Sequence, residues 1–168
     1  RSASFVSEVI VAMCSFVNTY YGEYDRRKLI KKLSFTDPYD IVKAARIIGE
    51  DGAMTVNNGD IVSTQTFKDA HIHVEFWLPY MPECKGQARA NSGVYVHGCY
   101  EVQVLDSYGV QNIKTNDCAG IYQQYKPMVN ANKKPEEWQT YDIYFRAPRY
   151  NEEGEIIEDA RMTVLFNG

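Results

Sequence analysis

From about Ala53 onward apolar residues recur at every second position in short runs, and this period of two narrows the possible folds more than any other feature of the chain. The runs AMTV, DIVS, HIHVEFWL, GVYVH, YEVQVLD, AGIYQQY, YDIYFRA and RMTVLF are separated by Asn, Gly, Asp and Pro, with NNGD reading as a hairpin turn. No helical segments alternate with these runs, so the pattern predicts an all-β antiparallel sandwich or jelly roll. A chain of 168 residues suffices for one domain around a single core.

The first third follows a different period. Between Ser4 and Tyr24 the residues Val6, Ile10, Met13, Val17, Tyr20 and Tyr24 recur at steps of four and three, which places them on one face of a helix. Gly22 weakens the end of that helix, DRRKLIKKL reads as a second amphipathic piece, and DPYDIVKAARIIG reads as a short helix ended by Gly49. The expected organisation is therefore a helical N-terminal extension over 1–45 and a β domain over 46–168.

Charge and hydropathy exclude some partners. The net charge is −4 and the 18 basic residues are scattered, so nothing in the chain attracts a phosphate backbone, and nucleic acid is not an expected partner. The most apolar stretch, FVSEVIVAMCSFV, carries Glu8 and falls short of the roughly 20 residues that span a bilayer. It also lacks the flanks of a signal peptide. The expected location is secreted, periplasmic or otherwise extracytoplasmic, any export signal having been removed or never having existed. Four cysteines (Cys14, Cys84, Cys99 and Cys118) show neither a CxxC nor a zinc-like spacing, and the last three lie near loops, where at least one disulfide is expected with its pairing open. Thirteen tyrosines suit both sheet packing and stacking on sugar rings.

Strand side chains alternate between two faces, so each run divides into two sets. Ile72, Val74, Phe76 and Leu78 share one face of their strand; Val94 and Val96, and Tyr100, Val102 and Val104, do so on theirs. The opposite faces carry His71, His73, Glu75 and Trp77, then Tyr95 and His97, then Glu101 and Gln103. If the strands share a sheet, all 3 histidines gather with two carboxylates on one polar face. The plain alternative is a solvated outer face. A gathered face offers acid–base chemistry, since close carboxylates shift one another and histidine titrates near neutrality. It also offers ligands for a divalent metal ion: His71, His73 and Glu75.

The segments FKDAHIHVEFWLP, GQARANSGVYVHGCYEVQVLDSYG, CAGIYQQYKPMVNANKKPEEWQTYDIYFRAPRYNEEGE and ARMTVLFNG resemble, in order and spacing, the 3-keto-disaccharide hydrolase family, from about Ile47 to Gly168. The resemblance implies a concanavalin-like jelly roll with its substrate on the concave face. The implied substrate is a glycoside already oxidised to a ketone at sugar carbon 3. Such a ketone acidifies the proton on carbon 2, so a base can remove it and the aglycone can leave from carbon 1, after which water adds back. On this chain the implied catalytic residues are Glu101 and His97 as acid and base, with Glu75 orienting or ligating. Gln103, Arg89, Asn91, Tyr95 and His73 are the implied substrate contacts. The family's GRGNSG loop reads ARANSG here, retaining Arg89, Asn91 and Ser92 and replacing glycines by Ala88 and Ala90.

Asp106 falls on the opposite parity from Glu101 and is expected to cap a turn or hold a loop; Trp138 and Tyr141 are expected in the core. The family continues past Asn167-Gly168, so the last strands of the sandwich are expected to be incomplete. The open edge would then be covered by a partner chain or by the N-terminal segment. Two other functional classes suit the same residues: a non-catalytic carbohydrate-binding module, and a structural subunit of a larger assembly.

Overall fold

The computed structural model describes residues 66–168 in full, Ala53, and the backbone of 61–65 and of two N-terminal strands. The strands are β1 (Ser7–Val11), β2 (Ile30–Ser34), β3 (Ile61–Phe67), β4 (Ala70–Trp77), β5 (Ser92–Val96), β6 (Tyr100–Val104), β7 (Trp138–Arg146), β8 (Arg149–Tyr150), β9 (Ile156–Glu158) and β10 (Arg161–Phe166). Sheet A has the order β3-β1-β5-β6 and sheet B the order β10-β7-β4-β2, while β8 and β9 form a separate hairpin. Every strand pairing among the described residues is antiparallel. The only helix among the described residues is a single 3-10 turn at Gly86–Ala88.

The antiparallel all-β expectation holds, and the expected helical extension does not appear in the described residues. Ser7–Val11 and Ile30–Ser34 lie where the spacing predicts helices, and both are strands. Val9, Ile10 and Val11 form a β-branched run that favours extended backbone. Inserted between β3 and β5, β1 gives both neighbours backbone partners, a gain that a few helically spaced apolar residues do not match. The remaining expected helical stretches and the NNGD turn lie outside the described residues. AGIYQQY does not form a full strand: it makes isolated bridges at Ile121, to Val102 and to Tyr125. Residues 119–122 nevertheless run beside β6 through Ala119 N–H to Gln103 O (2.9 Å), Gln103 N–H to Gly120 O (2.9 Å) and Tyr122 N–H to Glu101 O (2.8 Å). The β8–β9 hairpin has too short a run for the alternation to reveal; Asn151 closes its turn by accepting from Glu155 N–H at 2.7 Å.

The core lies between the sheets. Sheet A contributes Val94, Val96, Val102 and Val104, and sheet B contributes Ile72, Val74, Phe76, Tyr141, Ile143 and Phe145. Each such side chain stabilises the fold by roughly 1.5–3 kcal/mol relative to exposure. Phe76, Tyr141 and Phe166 form an aromatic cluster with Tyr141 at centroid distances of 4.8 Å and 4.9 Å. Tyr141 also joins the two layers: from sheet B its hydroxyl donates to Gln103 O on β6 (2.6 Å) and accepts from Ala119 N–H (2.9 Å). Burial and the neighbouring Cys118 thiol hold the Tyr141 phenol well above its ordinary pKa, so it remains a donor. Cys84, Cys99 and Cys118 are all free thiols, against the expected disulfide. Cys118 is buried, 3.0 Å from the Tyr141 hydroxyl, and burial pushes its pKa up to about 12. Cys14 lies outside the described residues.

Candidate functional site

The polar face predicted as one is divided between the two sheets. β4 lies in sheet B, whereas β5 and β6 lie in sheet A, and both sheets turn their apolar side chains inward. His71, His73 and Glu75 therefore stand on the outside of sheet B, and Tyr95, Glu101 and Gln103 on the outside of sheet A, with the core between them.

On sheet A, Tyr95 and Glu101 are directly opposite in the β5–β6 hairpin, and the Tyr95 hydroxyl donates to Glu101 Oε2 at 2.8 Å. Glu101 is half-buried, and burial raises its carboxyl pKa against the opposing pull of the Tyr95 hydrogen bond. Next to it Gln103 is buried. One end of the Gln103 amide lies 3.2 Å from Glu101 Oε1 and 2.7 Å from Ser92 O, a surround of acceptors that calls for its nitrogen there. The other end faces the Gln87 amide at 2.9 Å. Gln87 belongs to the 3-10 turn and donates to Asn116 O at 2.7 Å. Asn91 donates to Gln87 O at 3.0 Å, holding that turn against the hairpin. The result is one carboxylate in contact with a phenol and a carboxamide, the carboxamide being backed by Gln87 and Asn91.

Other expected members of the site stand elsewhere. His97 is in the turn between β5 and β6 with φ of 56°. Its ring packs edge-on against Phe145, a core residue of sheet B, at 4.6 Å, and its Nε2–H donates to Phe67 O at 3.0 Å. It thus turns toward the core side of the sheet whose outer side carries Glu101, and the expected His97–Glu101 pair is not assembled. Burial lowers the His97 pKa, with the backbone carbonyls of Phe67 and Lys68 and the Asp69 charge opposing.

Arg89 is committed to Asp106 in an ion pair, and the Asp106 side chain is 1% exposed. Asp106 also accepts from Tyr108 N–H at 3.1 Å, which is the turn-holding role its parity predicts. Trp138 is a correction: of the two residues expected in the core only Tyr141 is there, and Trp138 sits half-buried on the outside of sheet B opposite Trp77.

The expected metal ligands are also rearranged. His71 Nε2 and His73 Nδ1 each lie 2.9 Å from Asp142 Oδ1, and Glu75 Oε1 is 3.8 Å from His73 Nε2. Burial raises the Asp142 carboxyl pKa, but the two imidazole hydrogen bonds outweigh it and hold it below the ordinary value. His71 is further fixed by stacking on Tyr144 at 4.3 Å. With both imidazoles turned to one oxygen, no group of three or more His, Cys, Asp or Glu among the described residues is placed to hold a metal ion.

Sequence reasoning missed Gln87 and Asp142. Asp142 carried a usable signal, since it lies on the outward parity of YDIYF. Gln87 carried none, because its role depends on how a loop folds back on β6.

A family model described as a 3-keto-alpha-glucoside-1,2-lyase-like domain matches residues 25–168, beginning ahead of Ile47. Among solved structures the chain is similar to a candidate glycosyl hydrolase from Parabacteroides distasonis, at 30% identity and a TM-score of 0.60. The match covers 77% of this chain and 62% of that one, so the chain spans less than two thirds of that protein's length. No curated protein matches the chain.

Proposed function

The chain belongs to the 3-keto-alpha-glucoside-1,2-lyase-like family, and on that premise we propose that it cleaves glycosides bearing a ketone at sugar carbon 3, on the outer face of sheet A, with Glu101 as the base. In this reading the sandwich is a concanavalin-like jelly roll and that face is its concave side. One observation carries the proposal: Glu101 is a half-buried carboxylate with a raised pKa, hydrogen-bonded to Tyr95 and adjoining the Gln103 amide. Raising a carboxyl toward working pH strengthens it as a base for a carbon acid.

Glu101 takes the proton from sugar carbon 2, and the electron pair moves into the carbonyl at carbon 3, giving an enolate. The Tyr95 phenol, freed from Glu101 as that carboxylate is neutralised, stabilises the developing oxyanion. The pair returns to form the carbon 1–carbon 2 double bond as the aglycone oxygen leaves carbon 1. Glu101, now protonated, is the nearest acid for that oxygen, and the Tyr95 phenol 2.8 Å away is the next. Water adding across the double bond at carbon 1 completes a net hydrolysis. This route does not use the paired carboxylates of an ordinary glycosidase.

The test is incubation with a 3-keto-glucoside carrying a chromogenic aglycone, beside Glu101→Gln. We expect release by the wild type and a loss of at least about 100-fold in the variant. Sugar binding without release by either protein would replace the enzyme reading with that of a carbohydrate-binding module.

A further inference from the structure

We propose that Gly93 is a positioning residue for Glu101: the space left by its missing side chain is the seat of the Glu101 carboxylate. The inference rests on the reading of Glu101 as the base. On β5, Gly93 lies opposite Gln103, and Tyr95, two residues on, lies opposite Glu101, so Glu101 reaches Gly93 along a diagonal of the hairpin. A Cβ built on residue 93 would stand 2.9 Å from Glu101 Cγ and 3.0 Å from Cδ, with Oε1 nearer still. Carbon atoms do not pack that closely. The backbone places no such demand, because Gly93 is not among the residues with positive φ. Alanine could adopt the strand conformation there without strain, so glycine is required for room and not for flexibility.

The clash would fall on the free end of a flexible side chain, so the strand can stay while the carboxylate moves. Gln103, packed against Gln87, fills the adjoining place. Displaced from its seat, Glu101 would give up the Tyr95 hydroxyl at 2.8 Å and the Gln103 amide at 3.2 Å and turn into water.

The experiment uses Gly93→Ala and two independent readings. The first needs no substrate: the Glu101 carboxyl is titrated by 13C NMR in the wild type and the variant, and its midpoint is expected to fall in the variant as the group becomes hydrated. The second is turnover of the chromogenic 3-keto-glucoside. We expect kcat to drop about 100-fold, as small displacements of a reacting group do, with KM within about twofold and the acid limb of kcat/KM moved to lower pH. A folded variant with an unchanged Glu101 midpoint overturns the proposal. A lowered midpoint in a protein with no turnover supports the seat and overturns the reaction assigned to it. Should Gly93→Ala fail to fold, Gly93→Ala/Glu101→Ala decides: a thermal midpoint equal to that of Glu101→Ala supports the proposal, and a double variant that also fails to fold overturns it.

Discussion

The charged residues of this protein divide into groups held for chemistry and groups held for the fold, and their environments separate the two. Glu101 stands half out of water with a raised pKa, because burial disfavours its charged form. Asp106 is also a carboxylate at the end of β6, but it is buried on Arg89 and the Tyr108 amide. Asp106→Ala should therefore lower unfolding free energy by about 3 kcal/mol in urea denaturation, because it strands the Arg89 guanidinium. His97 gives a pH signature. Its folded pKa lies below the unfolded value of about 6.5, so its neutral form is favoured in the fold. The contribution is fully present above pH 6.5 and is lost as pH falls below it. Thermal midpoints should drop between pH 7 and pH 5, and His97→Gln, which keeps a donor for Phe67 O, should flatten that drop. Asp69, held at about 2 chiefly by its hydrogen bond from Arg149, and Asp142 and Glu158, both also held below their ordinary values, act below about pH 5, outside this window.

At the scale of elements, the β5–β6 hairpin does most to build the site, and Tyr141 of β7 ties it to the opposite sheet. The hairpin sets Tyr95 against Glu101 and Gly93 against Gln103 by register alone. A slip of one residue would turn Glu101 into the core and Val102 out of it. The Tyr141 hydroxyl bonds Gln103 O and Ala119 N–H, holding β6 and the segment beside it to sheet B. Tyr141→Phe keeps the ring and removes both hydroxyl hydrogen bonds, while Ala119 N–H keeps its bond to Gln103 O, at a cost of about 0.5–1.5 kcal/mol. Hydrogen exchange should show the loss at Ala119 and Gln103 first, while β4 stays protected; uniform loss across both sheets would argue against a local staple. The strand faces themselves are legible in the sequence, because period-two alternation is a local property. β1 and β2 are not, since their apolar spacing fits a helix and only the pairing with β3, β5 and β4 makes them strands.

For the whole molecule, the deciding question is which strands share a sheet. Alternation places His71, His73 and Glu75 on one face of β4 and Glu101 and Gln103 on one face of β6, and both assignments hold. What the alternation cannot express is that β4 pairs with β7 while β6 pairs with β5, which puts His71 and His73 on the opposite outer surface of the sandwich from Glu101. Asp142 then becomes the partner of both imidazoles through the β4–β7 register, across 69 residues of chain in the case of His73. The sequence by itself determined the antiparallel all-β class, the inward residues of β4, β5 and β6, and the Glu101–Gln103 face of β6, because each follows from the geometry of an extended chain over a few residues. Only the tertiary structure decided that His97 leaves Glu101 for Phe145, that Arg89 is taken by Asp106, and that Gly93 makes room for a carboxylate. Those contacts join parts of the chain brought together by hydrogen-bonded register and loop closure, whose energies depend on the assembled sheets and not on any one stretch of residues.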